Sequence, residues 1–191
     1  MLSATYRQSS RVSREVFDKD PENRLLGRFT PRRLEAEAIR DAILSVSGQL
    51  DLTAGGPAGD DFIIRRRSLY VQTARWQRDS YANLFDAANP DASTERRVTS
   101  TVAPQALLLL NHPWMLDQAR HLAERLVKDV PEGDAARIER AYQLLYGRKP
   151  SDEELTIAQT IIAGDDPALP NCGWVDLAHV LLCSNEMIYT D

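Results

Sequence analysis

From about residue 30 onward, apolar residues recur along this chain with a helical rather than an alternating period. At about 100° per residue, Ile39, Ala42, Ile43, Val46 and Leu50 share one face, and Glu37, Arg40 and Asp41 lie opposite. The spacing predicts a helix that opens at Thr30-Pro31, runs to Val46 or Ser47 and stops at Gly48. Threonine can cap such a start, and proline there gives up an amide that would be unpaired anyway. Met115, Ala119, Leu122, Ala123, Leu126 and Val130 form the clearest stripe, in a helix predicted over Trp114 to Val130. Asp117, Arg120, His121, Glu124, Arg125 and Lys128 oppose it. A helical hairpin follows. Its first arm, Asp134 to Tyr146, turns Ile138, Ala141, Tyr142 and Leu145 inward and ends at Gly147. Its second arm opens on Ser151-Asp152-Glu153-Glu154, the pattern of a capping box. A last helix, Trp174 to about Ile188, is apolar over most of its circumference and is predicted to be buried.

Other stretches are shorter. Leu52 to Asp61 contains Gly55-Gly56-Pro57 and Gly59 and reads as a loop. Arg67 to Thr73 alternates Leu69 and Val71 against Ser68, Tyr70 and Gln72, which predicts a short strand. Short helices are expected over Tyr81 to Ala87 and Pro104 to Leu110. Residues 1–30, polar and arginine-rich, read as an irregular appendage to one domain over 31–191. The fold class is mainly α: an irregular helical domain with a helical hairpin and at most one short strand or hairpin.

Composition narrows the function classes. At 43% hydrophobic, 191 residues can bury a core. Asp and Glu outnumber Lys and Arg 28 to 23, and the net charge of −5 argues against nucleic acid as partner. Two cysteines exclude a multi-disulfide scaffold and an all-cysteine zinc site. The chain contains no apolar run long enough to predict a membrane span. Met1 to Arg7 is too polar for a secretory signal, so the chain as it stands would remain in the cytosol.

Candidate chemistry is sparse. Asp176, His179, Cys183 and Glu186 follow one another at helical spacing on the polar side of the last helix. A metal or a thiol nucleophile could use such a stripe, but the plainer reading is a set of polar side chains that bond locally or meet solvent. Cys172 and Cys183, if joined by continuous helix, lie roughly 16 Å apart, beyond the ~7 Å limit for bridged α-carbons, so two free thiols are predicted. Glu35 shares the helix face of Ile39 and Val46, which predicts a partly buried carboxylate. Arg65, Arg66 and Arg67 are the candidate partners for an internal ion pair, Arg66 and Arg67 foremost. The glycine loop lacks the Gly-Lys-Ser/Thr of a phosphate cradle. Arg75, Trp76, Arg78 and Tyr81 form a basic and aromatic run in which Trp76 and Tyr81 could stack on a sugar, making carbohydrate a candidate ligand. His112 and His121 read as ordinary surface histidines.

Several strings stand in a particular order. Ser3-Ala4-Thr5-Tyr6-Arg7-Gln8-Ser9 comes first, then Arg33-Leu34-Glu35-Ala36-Glu37-Ala38-Ile39-Arg40-Asp41-Ala42. Gly55-Gly56-Pro57, Arg66-Arg67-Ser68-Leu69-Tyr70, Phe85-Asp86 and Arg97-Val98-Thr99-Ser100-Thr101 follow. Pro104-Gln105-Ala106-Leu107 and Leu181-Leu182-Cys183-Ser184-Asn185-Glu186-Met187-Ile188-Tyr189 complete the series. In this order they resemble the C-terminal domain of unknown function, family number 1553, of large planctomycete proteins that typically also carry a planctomycete-type cytochrome c domain. Met187 stands where that family often has phenylalanine.

The resemblance implies an exported, haem-c-associated parent protein of the periplasm or cell envelope. Haem there is held by a separate Cys-x-x-Cys-His segment, which this sequence lacks, so no cofactor is expected in this chain. Because the family's domain contains the Ser3 to Ser9 string, the resemblance also implies a truncated C-terminal portion. Its expected partner is the missing N-terminal region or a separate protein. The leading expectation is a non-catalytic structural or interaction module that presents a docking surface on its first and last helices. The alternative is a contribution to a hydrolytic or carbohydrate-acting site built on Glu35 and the Arg65 to Arg67 cluster, with Asp176 or His179 as further candidates.

Overall fold

A computed structural model describes residues 3–74, 80–91, 93, 95–164 and 172–190. The fold is mainly α, as the periodicity predicts. A short helix, α1 (Arg14–Lys19), buries none of its residues. Strand β1 (Arg32–Arg33) leads into helix α2 (Ala36–Val46), and after a long loop come α3 (Ser80–Leu84) and α4 (Ala103–Asn111). The central helix α5 (Pro113–Asp129) precedes the hairpin of α6 (Asp134–Tyr146) and α7 (Asp152–Ala163). Helix α8 (Cys172–Leu182), the short α9 (Asn185–Ile188) and strand β2 (Tyr189–Thr190) complete the order.

The core forms where α8 packs across α5 and against α7. Met115, Ala119, Leu122 and Leu126 of α5 are fully buried, and Ala123 nearly so, as the stripe predicts. They meet Ile138 and Ala141 of α6 and Leu177, Ala178 and Leu182 of α8 in one continuous cluster. At about 1.5–3 kcal/mol for each large apolar side chain taken from water, this cluster is the main stabilising term. The predicted hairpin signals are in place. Gly147 ends α6 in the left-handed conformation at φ 69°. Ser151 closes its capping box, with Glu154 N donating to Ser151 Oγ at 3.2 Å and Ser151 N donating to Glu154 Oε2 at 2.7 Å. Gly173 lets α8 approach α7: a Cβ there would lie 2.6 Å from the carbonyl oxygen of Ile162.

Three expectations are corrected. The first helix begins at Ala36, because Arg32 and Arg33 pair antiparallel with Thr190 and Tyr189 instead of coiling. Long-range pairing outweighs the local Thr30-Pro31 signal, and Leu34 N donates to Ile188 O at 2.8 Å to seal the junction. The segment expected as a strand is a 3-10 turn at Ser68–Tyr70, with only an isolated bridge between Val71 and Gly59. The last helix is broken in two, because Ser184 Oγ accepts from Met187 N and caps the start of α9. The same hydroxyl lies 2.8 Å from Tyr146 Oη.

Candidate functional site

Charged side chains of β1 and α2 organise the irregular half of the molecule. Arg40 is 2% exposed although the periodicity places it outside. Its Nε donates to Phe62 O at 2.6 Å, its Nη1 to Arg66 O at 2.9 Å, and its Nη2 to Ile64 O. Asp41 lies 3.0 Å from Arg40 Nη1 and accepts from Ser68 N at 2.8 Å and Ser68 Oγ at 2.7 Å. The chain from 62 to 68 has no regular ladder, and the guanidinium supplies the donors that its inward carbonyls need. The signal for this burial is Leu44, which is fully buried: the inner arc of α2 runs from Ile39 to Leu44, and Arg40 falls in its middle.

Arg33 of β1 acts in the same way on a different stretch of loop. Its guanidinium donates to Asp86 Oδ2 at 2.7 Å, to Phe85 O at 3.1 Å and to Ser100 O. Asp86, at φ 58°, also accepts from Ser100 N at 2.8 Å. Burial pushes its carboxyl up, but the Ser100 amide and Arg33 outweigh that and hold it below the usual carboxylate range. The strings at Arg33 to Ala42, Arg66 to Tyr70, Phe85-Asp86 and Arg97 to Thr101, far apart in sequence, thus meet around the start of α2.

Beside them lies a cavity of about 330 Å³. Phe62 and Tyr81 stack at 5.0 Å between ring centroids on its inner side, and Tyr81 Oη donates to Ala36 O at 3.0 Å. Glu37 stands at its edge and takes both arms of Arg97, at 2.8 and 3.1 Å. Burial works to raise the Glu37 carboxyl, yet the hydrogen bonds and charge of Arg97 prevail and keep it below the ordinary value.

The expected partner of Glu35 is corrected. Its side chain is 66% exposed and pairs with Arg97 Nη1 at 3.2 Å. Preceding the first turn of α2, it faces outward rather than joining the helix face of Ile39. Arg66 instead holds the glycine loop, donating to Pro57 O at 2.6 Å and to Gly55 O and lying 3.8 Å over the Tyr70 ring. Arg65 and Arg67 are exposed. Arg75, Trp76 and Arg78 lie outside the described residues, and Tyr81 is 2% exposed, stacked inside rather than on an open platform.

The stripe of the last helix divides. His179 Nε2 and Cys183 Sγ both reach the Leu109 carbonyl, at 3.0 and 3.3 Å, and tie α8 to α4. Burial pushes the Cys183 thiol up to about 11, which suits a packed thiol rather than a nucleophile. Asp176 is exposed. Glu186, beyond the break, joins Glu154 on the two edges of Arg148, at 2.6 Å each, and the guanidinium lies over the Tyr142 and Tyr146 rings. Arg148 holds the Glu154 carboxyl down at about 2, against burial. His112 accepts from Trp114 N at 3.2 Å and so caps α5, a role its sequence position before proline did not suggest. His121 lies 3.5 Å from both Asp117 and Glu124.

Cys172, at the start of α8, and Cys183, just past its end, form no disulfide. Covalent haem attachment needs two thiols three positions apart followed by histidine, and these residues do not fit it. Among the described residues no group of three or more His, Cys, Asp or Glu is placed to hold a metal ion. Among them, too, no helix is long and apolar enough to cross a membrane.

Glu37, which lines the cavity, and Asp86, outside its lining, are both held below the ordinary carboxylate value and both paired with arginine. A general acid needs a proton to give at neutral pH, and the forces on these two groups act in the opposite direction. A model of the family described as protein of unknown function (DUF1553), PSD1, matches residues 1–162. No curated protein and no solved structure matches the chain.

Proposed function

The chain belongs to the family of proteins of unknown function DUF1553, and from that premise we propose that it is a non-catalytic helical module that docks on the haem-c-bearing region of a larger, exported protein. The observation that carries this reading is α4. Only Gln105 and Leu109 of that helix are buried, while Leu107 and Leu110 are 58% and 52% exposed. Val102, just before the helix, is 43% exposed, and Val180 of the adjoining α8 is 54% exposed. An apolar surface of this kind marks a contact site more often than a solvated face. On this reading the docking surface lies on α4 and the edge of α8. The arginine and carboxylate pairs around α2, which bond mainly to each other and to loop carbonyls, support a scaffolding role for that end of the molecule.

The test is a mixing experiment with the haem-bearing portion of a family protein, produced separately. The chain should co-elute with the haem absorbance in equimolar amount, and Leu107→Lys combined with Leu110→Lys should abolish the complex while the helical circular dichroism is kept. Absence of a complex would overturn the reading. So would turnover of a glycoside substrate by the isolated chain that is lost in Glu37→Gln.

A further inference from the structure

The cavity beside the start of α2 is independent of whatever docks on α4. Its volume of about 330 Å³ suits a small molecule. Its inner wall is apolar: the stacked Phe62 and Tyr81 rings, with Ala36, Val71 and Ala82 around them. Arg40 is a cation in the lining, and its guanidinium is occupied by the carbonyls of Phe62, Ile64 and Arg66 and by Asp41. It has little left to offer a ligand carboxylate or phosphate.

The edge carries the opposite preference. Glu37, in the lining, and the exposed Glu35, outside it, share one guanidinium, Arg97, so this cluster is formally negative. An ionised carboxylate has about four lone-pair positions, and Arg97 takes one on each Glu37 oxygen, which leaves room to accept from a hydroxyl. Asn89 Oδ1 accepts from Asp91 N at 2.9 Å, and that bond directs Nδ2 to other acceptors. Thr73 adds a hydroxyl to the lining.

We propose that this cavity binds a small uncharged molecule of the phenol class, its ring against Phe62 and Tyr81 and its hydroxyl bonded to Glu37 and Asn89. An apolar wall selects a flat ring, the negative edge and the occupied arginine reject anions, and the neutral donors and acceptors select a hydroxyl. Ser68 is bonded to Asp41, which leaves Glu37, Thr73 and Asn89 as the side chains offered to a ligand, fewer than the many hydrogen bonds that a sugar would need in exchange for its hydration.

The full chain, titrated with phenol and followed by saturation-transfer NMR and backbone shifts, tests this. Phenol should bind with a Kd on the order of 1 mM, reasonable for a ligand of its size, and shift residues around Phe62 and Tyr81. Benzoate, with the same ring and a negative charge, should bind at least tenfold more weakly. Methyl glucoside should show no transfer. Ala82→Leu, which fills the cavity, should abolish phenol binding. Asn89→Ala, at an exposed position outside the core, should weaken it about threefold and lower the melting temperature only slightly through loss of the Asp91 turn bond, and it keeps the test decisive if the filled variant does not fold. The proposal is overturned if phenol does not bind, if benzoate or methyl glucoside binds as tightly, or if both variants bind phenol unchanged.

Discussion

Arg40 holds a positive charge at 2% exposure and serves three backbone carbonyls that no regular structure satisfies. Removing one member of such a buried network leaves the other groups desolvated and unpaired. Arg40→Met should therefore cost about 3–5 kcal/mol in urea unfolding, far more than the loss of a surface charge. Arg40→Lys should recover less than half of that, because a single ammonium lacks the planar fork that reaches several acceptors at once. Cys183 gives a second test at this scale. With its thiol pushed up to about 11 by burial, it should be alkylated by iodoacetamide at pH 8 much more slowly in the folded chain than in urea. Equal rates in both states would show that the thiol is not packed against the Leu109 carbonyl.

Between elements, two devices fix the hairpin and the chain's last turns. Gly173 stands where α7 and α8 touch, and Gly173→Ala should destabilise by about 1–3 kcal/mol because the backbone of Ile162 cannot yield as a side chain would. Arg148 joins the hairpin to α9 through Glu154 and Glu186. Glu154 titrates at about 2 when folded against 4.5 ordinarily. A depressed carboxyl of this kind contributes stability that is present above pH 4.5 and lost as the pH falls towards 2. Urea midpoints measured from pH 7 to pH 3 should fall, and Glu154→Gln, which keeps the capping box, should flatten that portion of the slope. An unchanged slope in the variant would remove Arg148 from its role as clamp.

For the whole molecule, local signals and long-range contacts divide the legibility of the fold. The α5 stripe, the Gly147 stop and the Ser151 capping box are written in neighbouring residues, and each appears where the pattern puts it. The start of α2 is not, because Arg32 and Arg33 pair with residues at the far end of the chain. Arg40 is hidden for a related reason: a charged residue reads as outward until the loop that folds over it is known. Glu35 is legible as a notable carboxylate but not as Arg97's partner, since no spacing connects positions 62 apart. The order of the strings signals the family more clearly than any of them signals chemistry, and in space the strings from Arg33 to Thr101 serve one another.

On the proposed reading a partner covers α4. Amide hydrogen exchange of residues 103–111, measured with and without the haem-c-bearing portion, tests it most directly. Docking predicts slower exchange by at least tenfold over Leu107 to Asn111, with the hairpin of α6 and α7 unaffected. A saturated complex in which α4 exchanges as fast as in the free chain would contradict the claim.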